Sequence, residues 1–585
     1  MDEDAKNLEK QLKKELNEKE MLTPYIPNRG KSFTDMIHDI LHTHGNIKDK
    51  YLKLLLSEEN IKIYENAFTS NSVNSFIDIE SGKIVQKENS TDTYETYKIF
   101  GTNIYENFVT WYIYRKFPSL KSAKDVKVIA RLKINYESKF IFPDIAKKIN
   151  FSQYIASSLY DKTHKENILL QYTLLAFIGA TSFILDNSLD TNGIGYAVCY
   201  NILSSFFKDI NIMLPSKFDE LNNPITVLKE FFDKNKYMGK LLPYECNYDK
   251  ENNINTCIIY YEKSFIKYQL SKAENKSKKE TERIAAIKAL ETLESKGIYK
   301  GLSIDKDKTR KVSYREEGKD KIVYGDRSIN FRNNILTLLK ESKIKEKYIN
   351  ILLSDENMKY YNYAFTSNSA NLNTFLVQDE SSIENYEIYE TLGDAVFKNF
   401  IVFYAAKRFD LYETKDVKII SRIKINYGSD EEFQKTAKYL NFLPYITASV
   451  FEFNTDKEKL LEDVFEAFLG VTCDILDNNF QIGVGYSICY DILKYINDKK
   501  NIPIDFEELT DSVSLLKEFF DKNKEIGTLE YTYTQHFKTI HCKAFLIKNT
   551  GEFEELGNGI DPKKNLARQN AAKNALSYLI SSGLL

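Results

Sequence analysis

The segment NYEIYETLGDAVFKNF holds the residues best suited to chemistry. Glu387, Glu390 and Asp394 stand at i, i+3 and i+7, which puts them on one face of a helix. Like charges stacked this way repel, and a compensating cation is one good reason to keep them. Further along, in LLEDVFEAFLG, Asp463 and Glu466 are again i, i+3, set among leucine, valine, phenylalanine and alanine. Carboxylates on so apolar a helix are costly to bury unless paired or metal-bound. Two helices crossing at these points would gather hard oxygen ligands suited to Mg²⁺ or Mn²⁺. Solvated acids on amphipathic helices are the plain alternative.

The elements that must position these acids are written twice. LLSEENIKIYENAFTSNS from Leu55 returns as LLSDENMKYYNYAFTSNS from Leu352, and KDVKVIARLKINY from Lys124 as KDVKIISRIKINY from Lys415. AFIGATSFILDN from Ala176 returns as AFLGVTCDILDN from Ala467, GIGYAVCYNIL from Gly193 as GVGYSICYDIL from Gly483, and LKEFFDKNK recurs verbatim at Leu228 and Leu516. Order is kept at an offset of about 290 residues, far too long for a solenoid period, so a multidomain unit is duplicated. The 585 residues also fit roughly four domains of about 150 residues. The first part of each copy has apolar residues at helical spacing and predicts an all-helical domain. The second part opens on the helix LKEFFDKNK and passes through alternating, strand-like segments such as TCIIYYEKSFIKYQL from Thr256 and TIHCKAFLI from Thr539. It closes on a helix, KKETERIAAIKALETL from Lys278 or KKNLARQNAAKNALSYL from Lys563. The fold class is therefore mainly α with α+β modules. Its expected boundaries are a charged helical arm over 1–28, helical domains over 29–218 and 327–507, α-β-β-β-α modules over 222–298 and 510–585, and a charged linker over 299–326. In the arm, Leu8, Leu12 and Leu16 at i, i+4 spacing mark a surface or partner helix.

YETLGD followed by EDVFEAFLG, in that order and after AFTSNS, resembles the ribonuclease III domain, whose signature runs roughly NERLEFLGD with DxxEA later. Ala364 to Ser369 match its upstream ALTHxS-like segment, with Ser367 where the histidine usually stands. The resemblance implies that Glu390, Asp394, Asp463 and Glu466 hold divalent metal, Mg²⁺ with Mn²⁺ as a substitute, and that Glu387 is the further acid opening the signature. It also implies an endoribonuclease in which metal-bound water attacks the phosphodiester of double-stranded or hairpin RNA, leaving 5′-phosphate and 3′-hydroxyl ends. A non-cutting protein that binds or sequesters duplex RNA is the competing class.

In the first copy the matching text is TYETYKIFGTNIY and NILLQYTLLAFIG. Glu95 aligns with Glu387, but Lys98 replaces Glu390, Thr102 replaces Asp394, Tyr172 replaces Asp463 and Leu175 replaces Glu466. A cation at Lys98 repels Mg²⁺, so this half is expected to fold but not to cut, with Lys98 and Glu95 as a candidate internal ion pair. Enzymes of the resembling family work as dimers. The tandem therefore implies either an internal pseudo-dimer with one live centre or a homodimer through the second copies with two.

The α-strands-α segments resemble double-stranded-RNA-binding domains, which read A-form shape rather than sequence. In the last one, Lys563, Lys564 and Arg568 match the phosphate-contacting cluster at the second helix, with Asn565 departing from the lysine pattern. Lys517 and Glu518 match the first-helix position that meets the minor groove, and His541 the strand-loop histidine, although the usual Gly-Pro before it is missing. The first-copy module keeps Lys278 and Lys279, with Arg283, but lacks the histidine and carries an Asn-rich insertion near Asn252 to Asn255.

Composition bounds these readings. The formal net charge of -3 requires any RNA-binding surface to be local. No apolar run is read as long enough to span a bilayer, and MDEDAKNLEKQLKKELNEKE lacks the apolar core of a signal peptide. Cys199, Cys246, Cys257, Cys473, Cys489 and Cys542 form no CxxC pair, which argues against zinc and for a reducing, intracellular setting, the cytoplasm first. Abundant Asn, Lys, Ile and Tyr fit an A/T-rich genome such as that of a large DNA virus.

Overall fold

The computed structural model describes residues 13–77, 84–86, 92–120, 126–136, 141–189, 192–210, 212, 224–249, 254–263, 266–299, 321–370, 385–410, 417–499, 512–536, 539–548 and 550–584. The chain divides into two compact units, Met1–Asn399 with Phe433–Ile492, and Phe400–Glu432 with Leu493–Leu585.

The first copy runs through strand β1 (Pro24–Tyr25), helices α1 (Lys31–Gly45), α2 (Asp49–Leu55) and α3 (Glu58–Ala67), strands β2 (Ser75–Ile77) and β3 (Ile84–Gln86), and helices α4 (Glu95–Lys116), α5 (Val126–Tyr136) and α6 (Ile141–Lys148). Strand β4 (Ser157–Ser158) and helices α7 (Leu159–His164), α8 (Glu166–Ser188) and α9 (Ile194–Phe207) complete the helical part. Its module comprises α10 (Pro224–Lys234), β5 (Lys240–Leu241), β6 (Glu245–Asp249), β7 (Ile254–Lys263), β8 (Ile266–Asn275) and α11 (Lys278–Ser295).

The second copy repeats the order: β9 (Ile322–Val323), α12 (Ile329–Glu341), α13 (Glu346–Leu352), α14 (Asp355–Ala364), α15 (Glu387–Arg408), α16 (Val417–Tyr427), α17 (Asp430–Tyr439), β10 (Ala448–Ser449), α18 (Val450–Thr455), α19 (Lys457–Asn479) and α20 (Val484–Asp498). The last module is α21 (Ser512–Lys522), β11 (Thr528–His536), β12 (Thr539–Ile547), β13 (Phe553–Asp561) and α22 (Lys564–Ser581).

Local chemistry explains many of these ends. Ser57 and Ser354 cap α3 and α14, each hydroxyl accepting the N–H three residues on, at 3.4 and 3.3 Å. The half-buried guanidinium of Arg29 donates to the carbonyls of Glu65, Phe68 and Tyr154, and Arg327 does the same for Phe365 and Tyr445. Each arginine thus pins the segment before the first helix to the end of the AFTSNS helix, a link that neither spacing nor composition announces. The central helices α8 and α19 are buried along most of their length.

Three expectations need correcting. The helical domains start earlier than 29 and 327, because β1 pairs with β4 and β9 with β10, two-residue strands too short to leave a pattern. α8 is long and apolar enough to cross a membrane by length and composition, against the reading that no such run exists. Where α19 has Lys459, Glu462, Asp463, Glu466 and Asp474, α8 has Ile168, Gln171, Tyr172, Leu175 and Phe183, and 83% of its apolar window is buried. Cys246 and Cys257, register partners on β6 and β7, are joined as a disulfide, whereas reduced thiols were expected. Of the N-terminal arm, residues 13–22 are helical with Leu16 exposed, while Leu8 and Leu12 lie outside the described residues, as does most of the 299–326 linker.

In the last module, β11, β12 and β13 form one antiparallel sheet with α21 and α22 on it. Gly557 and Gly559 on β13 lie where a Cβ would strike the α22 backbone, so the helix seats Ala567, Ala571 and Ala575 directly on the strands. The first module has the same plan, with its first strand broken into β5 and β6, both pairing with β7.

Candidate active site

The acids meet because two helices touch backbone to backbone. A Cβ on Gly393 of α15 would overlap the Glu466 carbonyl, and one on Gly470 of α19 would overlap the Tyr389 carbonyl. This crossing sets Glu390 against Asp463 and Glu466, whose ligand oxygens all lie within 4.8 Å of one another. Asp463 and Glu466 are 4% and 6% exposed. Asp394 lies outside that tight group but near enough for its charge to act on Glu466, and its Oδ2 accepts from Lys398 Nζ at 2.6 Å. Glu387 sits in the first turn of α15, where its charge acts on Glu390.

Two lysines and a further acid complete the centre, and the sequence reading missed all three. Lys459 Nζ donates to Asp463 Oδ1 at 2.6 Å and to Glu462 Oε1 at 3.1 Å, and Gln434 donates to the other oxygen of Glu462. Their signal was legible as i, i+4 pairs, Lys459 with Asp463 and Lys398 with Asp394. Burial, then the charge of Asp463, pushes the Glu390 carboxyl up to about 8. Burial and the charges of Asp394 and Glu390 hold Glu466 well above the usual carboxylate range. Carboxylates that retain protons for want of positive charge are the donor set a divalent cation fits.

The first copy keeps the crossing without the acids. Gly101 abuts the Leu175 carbonyl and Gly179 the Tyr97 carbonyl, so α4 and α8 approach as α15 and α19 do. There Lys98 forms an ion pair with Glu95 and lies over the Tyr172 ring, 4.4 Å from its centroid, with the Tyr94 ring at 5.5 Å. Thr102 turns its hydroxyl back to the Lys98 carbonyl at 2.7 Å, and Leu175 is buried. The counterpart of Lys459 is Ile168, so this copy lacks the compensating cation along with the acids.

The RNA-contact candidates separate on inspection. Lys563 is exposed beside the start of α22, and Lys517 is exposed on α21. Lys564 and Arg568, one turn apart, turn onto the rings of Tyr533 and Tyr531 at 4.3 and 4.5 Å. Arg568 thus rests on the sheet, because Tyr531 and Tyr533 share one face of β11. Glu518 pairs with Arg422 of α16. His541 lies within β12 opposite Thr534, not in the preceding loop. In the first module Lys278 and Lys279 are exposed in the first turn of α11, Arg283 pairs with Glu280, and of the Asn-rich insertion Ile254 and Asn255 belong to β7.

Comparison with known proteins settles the family. A protein of Invertebrate iridescent virus 6 assigned as a ribonuclease 3 is 33% identical over 276 residues, spanning 44% of this chain and 90% of that relative. The chain belongs to the ribonuclease III family. A ribonuclease 3 assignment in Frog virus 3 is 34% identical over 42% of the chain and 62% of the relative, and the ribonuclease 3 of Streptococcus mutans is 28% identical over 41% and 96%. Residues 512–579 match the double-stranded RNA binding motif. The ribonuclease III nuclease domain of Campylobacter jejuni covers 29% of the chain at 24% identity, with a TM-score of 0.21. The chain is thus a ribonuclease III-like endoribonuclease with a double-stranded-RNA-binding motif, and two of these relatives are viral.

Proposed function

We propose that this ribonuclease III hydrolyses duplex or hairpin RNA at a single centre in its second half, with Glu390, Asp394, Asp463 and Glu466 holding Mg²⁺, or Mn²⁺ in its place. The observation that carries this reading is the contrast between the halves. Both preserve the glycine-mediated helix crossing, but only one fills it with buried acids, and the other fills it with Lys98. The first half serves as an inactive partner, and the exposed lysines of the modules contact backbone phosphate. A bound divalent ion would supply an activated water and charge stabilisation for in-line attack. The protein's own part is to keep the ligands in register. Gly393 and Gly470 fix the helix separation, Lys459 orients Asp463, and Lys398 orients Asp394.

The test is an end-labelled RNA hairpin, each stem strand tagged differently, incubated with Mg²⁺, with EDTA, and with the Asp463→Asn, Glu466→Gln variant. Cleavage that needs both Mg²⁺ and the two acids, leaving 5′-phosphate ends, is expected. Binding without cleavage in Mg²⁺ and Mn²⁺ would leave a duplex-RNA-sequestering protein instead.

A further inference from the structure

The serines of AFTSNS recur in both halves and have no place in the ligand set. In the second half Ser367 and Ser369 both donate to Glu452 Oε2 of α18, the former at 2.6 Å. Tyr386 stands one residue ahead of α15 and is only 3% exposed. Its hydroxyl hydrogen-bonds on one side with Ser367 and on the other with the Asp463 carboxylate. Tyr386 occupies the opening position of the signature, where the form NERLEFLGD has asparagine, so the signature itself does not supply this hydroxyl.

Hydrogen counting sets the direction of these bonds. As a metal ligand Asp463 is a carboxylate and only accepts, so Tyr386 gives it the one hydrogen it has. Ser367 then points its own hydrogen at Glu452 or at the tyrosine oxygen, and Ser369 serves Glu452 in either case. Lys459 also donates to Asp463, but its side chain is 57% exposed, a hydrated charge on a flexible stem that fixes geometry poorly. The first half supplies the comparison. There Tyr94 keeps its bond with Ser70 at 3.2 Å, but its ring meets Tyr172 edge-on, with centroids 5.9 Å apart, where the second half has Asp463. Asp161, the counterpart of Glu452, pairs with Lys165 at 2.8 Å, and the hydroxyls of Ser70 and Ser72 hold each other at 3.1 Å. The serines are thus tied to an acid only in the half whose tyrosine holds one.

We infer that Tyr386 is the residue that positions Asp463 for the metal, and that Ser367, Ser369 and Glu452 brace Tyr386. The inference rests on the reading of the second-half acids as the metal centre, and goes beyond it by naming a donor outside the ligand set. A buried hydroxyl is a fixed partner for one carboxylate lone pair, and it keeps Asp463 turned toward Glu390 and Glu466. Loss of such an outer partner costs about 10- to 100-fold in metal affinity or activity at metal sites generally. In this role Tyr386 acts through Asp463, so its removal is felt in the binding of the ion and not in the step that follows.

The experiment uses the full-length protein without RNA, titrated with Mn²⁺ and with Mg²⁺ by isothermal calorimetry. Tyr386→Phe keeps the ring and should weaken binding about tenfold or more, and Ser367→Ala should weaken it less. The two together should lose no more than Tyr386→Phe alone, because the brace acts through the tyrosine. Tyr94→Phe removes a similarly buried hydroxyl from the matched place and should leave metal affinity unchanged. On labelled hairpin RNA, Tyr386→Phe should raise the half-saturating Mg²⁺ concentration by the same factor, while saturating Mg²⁺ restores most of the cleavage rate. Metal affinity unchanged in Tyr386→Phe, or lowered as much by Tyr94→Phe, would overturn the inference and leave the nuclease reading intact. Unchanged affinity with a cleavage rate that stays low at saturating Mg²⁺ would put the hydroxyl in the chemistry instead, and the positioning role would be wrong. If the wild type takes up no metal and cuts nothing, the metal reading fails and the positioning role falls with it.

Discussion

Glu390→Gln should abolish cleavage and yet make the metal-free protein more stable. The Glu390 carboxyl stands at about 8 against an ordinary value of 4.5, raised by burial and then by Asp463. A folded-state pKa above the unfolded one means that the native state holds the extra proton. Stability from this group is therefore complete below pH 4.5 and is lost as pH rises through 8. At about 1.4 kcal/mol per tenfold, the loss across that window amounts to a few kcal/mol, shared with the neighbouring Asp463 and Glu466. A glutamine keeps the shape and cannot ionise, so it removes the penalty. The assay is calorimetric unfolding in EDTA at pH 5 and pH 8. Wild type should lose stability between the two, the variant should lose much less, and saturating Mg²⁺ should flatten the wild-type slope. A variant less stable than wild type at pH 8 in EDTA, or one with an unchanged slope, would refute the claim that this cluster buries more negative charge than Lys459 and Lys398 offset.

Further outcomes follow from the same contacts. Lys459→Met removes two charge-assisted hydrogen bonds and should cost about 2 kcal/mol of metal-free stability, recovered when Mg²⁺ is added and measured by denaturant titration. Gly393→Ala forces a methyl into the Glu466 carbonyl and should destabilise by about 2–4 kcal/mol while abolishing cleavage, even where circular dichroism shows a folded chain. Lys563→Ala should weaken duplex binding on all sequences alike and reduce the slope of log affinity against log salt by about 1. Lys98→Met should lower the melting temperature of the chain without affecting metal-dependent cleavage chemistry, because its ion pair and ring contacts stand where the other half keeps acids.

Much of this was legible in the residues. Repeats at a fixed offset pointed to the tandem, and acids at i, i+3 and i+7 on apolar helices pointed to the candidate centre without any fold in hand. What escaped had physical causes. The glycines of TLGD and AFLG stood in quoted motifs, but their role as the point where α15 and α19 touch exists only in three dimensions. Lys459 and Lys398 looked like the ordinary i, i+4 partners that solubilise a helix face, and only burial of the acids turns them into compensating charges. Arg568 matched a phosphate-contact pattern, yet the face of β11 that carries Tyr531 decides where its guanidinium rests. Arg422 and Glu518 are 96 residues apart, beyond any spacing rule.

Lys98 also bears on the order of synthesis. Translation delivers the half with Lys98 first. Its own lysine already stands where the other half gathers acids, so the charge there is balanced within the chain as soon as this half is made. Its face bearing Tyr114 and Arg115 then waits, tethered at high effective concentration, for the acid-rich half emerging behind it. The half with the costliest burial of acids is thus the one made second, with partners for Asp474 and Asp477 already supplied by the half made first.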